Sequence, residues 1–291
     1  MNIGIYVERF VEWLSDIGTP FFDQLTIMIE NSIDALQKAI DFLPFYIVIL
    51  ILTSLIFWLK FRKLEKGSKF KDHFKELLGL PIFFVLGMAV IHWMGYWNET
   101  METLVLVIVS TFLSLIVGIP LGIWGARSST AYAVIRPILD FMQTMPAFVY
   151  LIPAILFFSV GNVPGVLATV IFSLPPAVRM TTLGITNVPK EIIEASVAFG
   201  CTYRQTLMKV QIPLAMPTIL AGINQVIMLA LSMVVIASMV GAGGLGESVY
   251  AGIQQADVAL GFEAGLCIVI LAIILDRLTQ SLQGKQNNAT N

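Results

Sequence analysis

Residues Thr103–Trp124 read Thr-Leu-Val-Leu-Val-Ile-Val-Ser-Thr-Phe-Leu-Ser-Leu-Ile-Val-Gly-Ile-Pro-Leu-Gly-Ile-Trp, without one ionisable side chain. A helix needs about 20 mostly apolar residues to cross a hydrocarbon core, and this stretch supplies them. The rest of the 291-residue chain has the same character: 57% of it is hydrophobic and 12% charged, with a mean hydropathy of +0.85. Soluble domains carry about 25% charged residues. A formal net charge of −2 offers no basic field for a polyanion. These values exclude an ordinary soluble enzyme, a nucleic-acid binder and a disordered chain. The fold class is an all-α integral membrane protein.

Working outward, the same criterion gives seven expected spans, near Pro44–Leu59, Leu77–Trp97, Thr103–Trp124, Phe141–Val160, Val163–Thr182, Ile219–Val240 and Val258–Leu275. Pro146, Pro153, Pro175 and Pro176 predict kinks in the fourth and fifth. If the segment after the first span faces the cytoplasm, fifteen of the seventeen Lys and Arg residues fall on that side, seven of them between Lys60 and Lys75. Only Arg9 and Lys38 lie opposite, so the expected amino terminus is outside and the carboxyl terminus inside. The Lys60–Lys75 cluster reads as a positive-inside anchor or a lipid-sensing patch.

Residues 1–43 lack the basic start of a signal peptide, and seven acidic residues interrupt any apolar core. Phe10, Trp13, Leu14 and Ile17 share one helical face, as do Leu25, Ile29, Ile33, Leu36, Ile40 and Leu43 after Gly18-Thr19-Pro20. The expectation is two amphipathic helices joined by a Gly/Pro turn, packed on the spans or lying on the membrane surface.

About thirty-five residues separate the fifth and sixth spans, and they are not random. Val188-Pro189-Lys190-Glu191 reads as a helix start. An apolar and small-residue run follows through Ile192, Ile193, Ala195, Ser196, Phe199 and Gly200, and Pro213 and Pro217 are expected to end the segment. The small residues Ala195, Ser196 and Gly200 would let another surface approach closely, which makes this a docking element. Glu194 either accepts hydrogen bonds from a partner or orients its own helix.

Chemistry-bearing clusters are otherwise scarce. Cys201 and Cys267 suit neither a disulfide scaffold nor a zinc ribbon, and His73 and His92 have no ligand spacing. Gly241–Gly246 follows an apolar span rather than a strand, so it reads as a turn or re-entrant bend and not as a phosphate cradle. No Gly-x-x-x-x-Gly-Lys-Ser/Thr stretch occurs. Gly118, Pro120 and Gly122 serve either close helix packing or a hinge. Arg179 and Asp276 are expected at cytoplasmic span ends and Glu263 near an outer end, where snorkelling is cheap.

Glu194-Ala195-Ser196-Val197-Ala198-Phe199-Gly200, then nine residues, then Val210-Gln211-Ile212-Pro213, resembles the EAA loop of binding-protein-dependent ABC importer permeases. Arg136–Asp140, Gln143–Pro153, Ser173–Arg179 and Val240–Gly246 are similar to the branch that imports glycine betaine and related quaternary amines. The resemblance covers residues 100–280 and implies a type I importer permease core. It divides the chain into an extracytoplasmic helical segment (1–43), two accessory spans with a basic loop (44–99), the core (100–280) with its coupling loop (188–217), and a cytoplasmic tail (281–291).

It also implies partners: two ABC ATPase subunits, a separate extracytoplasmic substrate-binding protein, a second copy of the chain, and membrane lipid. No nucleic acid is implied. No catalytic site, cofactor or metal belongs to this chain; ATP and Mg²⁺ are used by the ATPase. Glu194, Ala195, Ser196, Gly200 and Pro213 would couple to that ATPase. Met142, Gln143, Met145, Phe148 and Tyr150 are pathway candidates, with Phe141, Phe157 and Phe158 as further cation–π partners for a methylated ammonium. The open alternatives are a methionine-type permease and an ion-coupled carrier. The span interiors hold almost no charge, which disfavours the carrier.

Overall fold

The computed structural model describes residues 3–42, 44–62 and 70–282. The centre of the basic segment and most of the tail lie outside them. Among the described residues the chain is helical, with no strand. In order the elements are α1 (Ile3–Asp41), α2 (Phe45–Arg62), α3 (Phe70–Trp93), α4 (Trp97–Arg127), α5 (Ser129–Thr144) and α6 (Ala147–Phe158). They continue as α7 (Asn162–Thr186), α8 (Lys190–Ala198), α9 (Tyr203–Thr206), a π turn (Leu207–Gln211), α10 (Ile212–Ser238), α11 (Leu245–Gln255) and α12 (Val258–Leu282).

Among the described residues four stretches are long and apolar enough to cross a membrane: Trp97–Arg127, Asn162–Thr186, Tyr203–Ser238 and Val258–Ser281. A fifth arises if α5 and α6 count together. The apolar part of α3 among the described residues, Gly79–Trp93, is short of a full crossing, so a count of seven is not established.

The fourth expected span, Phe141–Val160, is not a straight helix. α5 and α6 meet at 98°, with Met145 and Pro146 between them. The cause is local: the residue before a proline is pushed out of helical angles, and Met145 sits at φ −68°, ψ 137°. The paired prolines of the fifth span do not break α7, which runs unbroken through buried Pro175 and Pro176. α7 is held between α4 and α10 by small residues. A Cβ on Gly118 would lie 2.5 Å from the Ala177 methyl, and one on Gly122 2.7 Å from the Val178 carbonyl oxygen. Close packing is therefore what these glycines do here. The hydroxyls of Ser114 and Ser173 meet at 2.9 Å across the α4–α7 seam, and Thr182 donates to the Gly122 carbonyl at 3.0 Å.

The expected break at Gly18-Thr19-Pro20 is absent. α1 is one helix of 39 residues with Pro20 inside it. A single proline removes one helical hydrogen bond. The Thr19 hydroxyl donates to the Ser15 carbonyl at 2.8 Å, and packing fixes the chain beyond. Ile29 and Ile33 are buried among Val105, Leu106, Val109, Val163 and Val166. The Phe22 ring stacks on Phe157 at 4.6 Å and meets Phe158 edge-on. α1 is thus packed on the bundle through its apolar face.

The expected stop at Pro213 and Pro217 is also absent, for α9 runs through the π turn into α10. Ile212 donates its N–H to the Leu207 carbonyl across the wider turn. Pro213 follows directly, as the second residue of α10, without ending the helix. α11 has no counterpart among the expected elements. It follows a glycine turn in which Leu245 N–H donates to the Thr103 hydroxyl at 2.8 Å and Gly243 N–H to the Asn162 side chain at 3.0 Å.

Charged residues near the span ends also have partners on neighbouring helices. Asp276 of α12 accepts from the Asn224 amide of α10 at 3.0 Å and from Gln280 at 2.7 Å. Arg179 of α7 pairs with Asp140 of α5, which also faces Arg136 at 3.9 Å.

Candidate functional site

The segment between α7 and α10 is a closed, capped unit. Pro189 precedes α8, and Glu191 in the first turn suits the positive end of the helix dipole. α8 ends in a double hydrogen-bonded turn: Cys201 N–H donates to Ser196 O at 3.1 Å, and Gly200 N–H to Val197 O at 2.9 Å. That turn requires a left-handed residue after the cap, and Gly200 takes it at φ +79°. Thr202 then opens α9 with a capping box, its hydroxyl accepting from Gln205 N–H while Gln205 accepts from Thr202 N–H.

The two short helices are fastened by one buried contact. The Ser196 hydroxyl donates to the Ile193 carbonyl at 2.7 Å and lies 3.0 Å from the Thr206 hydroxyl. Ser196 is therefore turned inward. Its small size serves the closure of α8 on α9, and not the approach of another surface as the sequence suggested. Glu194, Ala195, Gly200 and Pro213 are exposed. Phe199 at the tip is 90% exposed and Met208 66%, so the unit presents an apolar outer surface. Leu207 packs on the buried cluster of Ile185, Ala215 and Ile219, as do Ile123 and Ala126 from the end of α4. Next to it the Arg127 guanidinium sits 4.7 Å over the Tyr203 ring.

The pathway candidates are dispersed. Met142 lines a cleft of about 540 Å³ between α4, α5 and α7, together with Leu121, Trp124, Ile135, Leu139 and Leu174. Tyr150 is buried with Leu151, Ala168, Met233 and Val240, Met145 packs on that cluster, and the Tyr150 hydroxyl donates to the Met142 carbonyl. Gln143 and Phe148 are exposed and line no part of the cleft. Phe157 and Phe158 are engaged by Phe22. Trp124 also lines the cleft, at the end of an apolar span where a tryptophan ordinarily marks the membrane interface. The Asp140–Arg179 and Arg127–Tyr203 pairs join residues far apart in the chain and have no local sequence signal.

Among the described residues no group of His, Cys, Asp and Glu is placed to hold a metal ion. The cleft walls are almost wholly apolar.

Comparison with known proteins agrees with this architecture. The glycine betaine transport system permease protein OpuAB of Bacillus subtilis is 46% identical over 285 residues, covering 98% of this chain and 95% of that protein. The glycine betaine/carnitine transport permease protein GbuB of Listeria monocytogenes is 48% identical, covering 97% and 96%. The glycine betaine/proline betaine permease protein ProW of Escherichia coli is 44% identical over 95% of this chain and 74% of its own length. The fold matches that of the MetNI methionine ABC transporter in an inward-facing form, with a TM-score of 0.60 at 22% identity over 66% of this chain and 95% of that one. Residues 118–287 match the model of the binding-protein-dependent transport system inner membrane component, and the chain belongs to that family.

Proposed function

We propose that this chain is the permease of an ATP-driven, receptor-dependent importer of glycine betaine or a closely related quaternary ammonium osmolyte. The observation that carries the reading is the near-full-length similarity to OpuAB and GbuB, whose names specify that substrate class. The apolar cleft and the scarcity of charge inside the spans suit a ligand without net negative charge. Substrate enters from an extracytoplasmic binding protein. ATP and Mg²⁺ act on two ATPase subunits, and this chain contributes the pathway as one of two identical permeases, without a catalytic site or cofactor of its own.

In this reading α8 and α9 face the cytoplasm, with the amino terminus outside and the carboxyl terminus inside. Glu194, Ala195, Gly200 and the exposed Phe199 meet the ATPase, while Ser196 and Pro213 hold the unit in shape. ATP-driven closure of the ATPase pair displaces α8. The spans then exchange outward-open and inward-open arrangements, each ligand favouring the state it binds better.

The test is uptake of labelled glycine betaine into proteoliposomes holding the permease, its ATPase and its receptor, with ATP inside and choline, carnitine and methionine as competitors. Uptake that needs ATP and receptor, and is blocked by betaines but not by methionine, is expected. Uptake without either component would overturn the importer reading. ATP-dependent uptake of methionine alone would overturn the substrate.

A further inference from the structure

The arginine–tyrosine contact beside the loop links two parts of the molecule that the chain itself does not join closely. Tyr203 is the first residue of α9, held by the capping box of Thr202 and Gln205. α9 is fastened to α8 through Ser196 and Thr206. Arg127 is the last residue of α4, and Ser128 after it caps α5 by accepting from Ala131 N–H at 3.2 Å. α5 supplies much of the cleft wall, through Ala131, Ile135, Leu139 and Met142.

A displacement of α8 has two routes inward. One is covalent, through α9 and the π turn into α10. The other crosses from Tyr203 to Arg127 and reaches the α4–α5 corner, while Leu207 and, from α4, Ile123 and Ala126 each pack on the buried cluster of Ile185, Ala215 and Ile219. A guanidinium within about 6 Å of a ring centroid is attracted to its face. The fixed Tyr203 ring therefore draws the corner along as the loop moves. Tyr203 is 47% exposed, so the contact adds little to a packed core.

We propose that Arg127 and Tyr203 form a positioning pair that carries the movement of α8 to α5, so that the cleft wall follows the state of the ATPase. This rests on the importer reading above, and the test separates the two. The intact permease–ATPase complex is reconstituted with receptor, and substrate moved per ATP hydrolysed is measured for the wild type, Tyr203→Leu, Tyr203→Phe, Arg127→Gln and the Tyr203→Leu/Arg127→Gln double variant.

Tyr203→Leu is expected to lower the ratio by about two- to five-fold, the range of an exposed cation–π contact. Tyr203→Phe keeps the ring face and is expected to keep the ratio. Arg127→Gln is expected to match Tyr203→Leu, and the double variant to fall no further, as for two residues acting through one contact. An unchanged ratio in both single variants, an equal loss in Tyr203→Phe, or losses that multiply would each overturn the proposal while leaving the importer intact. A wild type that moves no substrate with ATP and receptor would overturn the importer reading instead. The two single variants probe the contact from opposite sides, so either decides the matter if the other does not assemble.

Discussion

The hydroxyl of Ser196 lies 3.0 Å from that of Thr206, and this one contact fastens α8 to α9. Both residues are buried, with exposures of 7% and 4%. Each also belongs to a turn whose backbone is already fixed, Ser196 as acceptor for Cys201 N–H and Thr206 as donor to the Thr202 carbonyl. The shape of the loop therefore depends on few groups, and it can be altered one group at a time.

Ser196→Ala should loosen α8 without unfolding the permease. Loss of a buried hydroxyl pair weakens local stability by about 1 kcal/mol, which corresponds to roughly five-fold faster amide hydrogen exchange across α8 in the assembled complex. Ser196→Leu places a large side chain in the same space and should separate α8 from α9. Its signature is loss of transport with the permease still inserted. Unchanged exchange in the alanine variant would show that the pair is not a fastening.

Gly200→Val should uncouple ATP hydrolysis from uptake. A β-branched residue at φ +79° is strained by about 1–2 kcal/mol, and the double hydrogen-bonded turn after α8 cannot close without that angle. Gly200→Asn tolerates the left-handed region and should retain most of the coupling. Equal activity of the valine and asparagine variants would separate the turn from coupling.

Gly122→Leu should lower the melting temperature of the purified permease, since even a Cβ there would lie 2.6 Å from that of Thr181 and 2.7 Å from the Val178 carbonyl oxygen. Overpacking of this kind costs about 1–3 kcal/mol. Gly265→Ala is the matched control, because a Cβ at Gly265 meets nothing within 4 Å. It should be neutral or slightly stabilising, given the helix preference of alanine.

Gly246→Ala should disturb the turn into α11 more than Gly243→Ala. At Gly246 the new Cβ would sit 2.4 Å from the Val234 carbonyl oxygen, which belongs to the backbone of α10 and has little freedom to move. At Gly243 the obstruction is the carboxylate of Glu102, the end of a flexible side chain. Thermal stability of the two variants in one detergent checks the order, and reversal would remove the close approach as the reason for glycine.

The long spans were legible because composition and length suffice for them: α4, α7 and α12 contain Thr103–Trp124, Val163–Thr182 and Val258–Leu275. The loop was legible through Glu194, Gly200 and Pro213. Proline was the unreliable guide. Pro20, Pro175, Pro176 and Pro217 stand inside continuous helices, whereas Pro146 accompanies a 98° bend. The difference lies in the surroundings, because α4 and α10 pack on α7 along its length and no sequence window contains them. Long-range pairs such as Asp140–Arg179 and Arg127–Tyr203 are set by how the helices come together, and so was the inward turn of Ser196. Sequence read that serine as open to another surface, whereas it faces Thr206.

The π turn at Leu207–Gln211 sets an angular phase. An α-helix advances about 100° per residue, and a π turn is in effect one residue inserted into that rotation. Everything on the amino-terminal side of the turn, Phe199 and Tyr203 included, is thereby rotated by roughly that angle about the α10 axis. Deleting one residue from the turn would restore an unbroken α-helix and preserve every apolar side chain of α10. It would also aim the loop at a different quarter of the compass, moving Tyr203 away from Arg127. One surplus residue thus decides which direction the loop points, independently of how firmly it is attached.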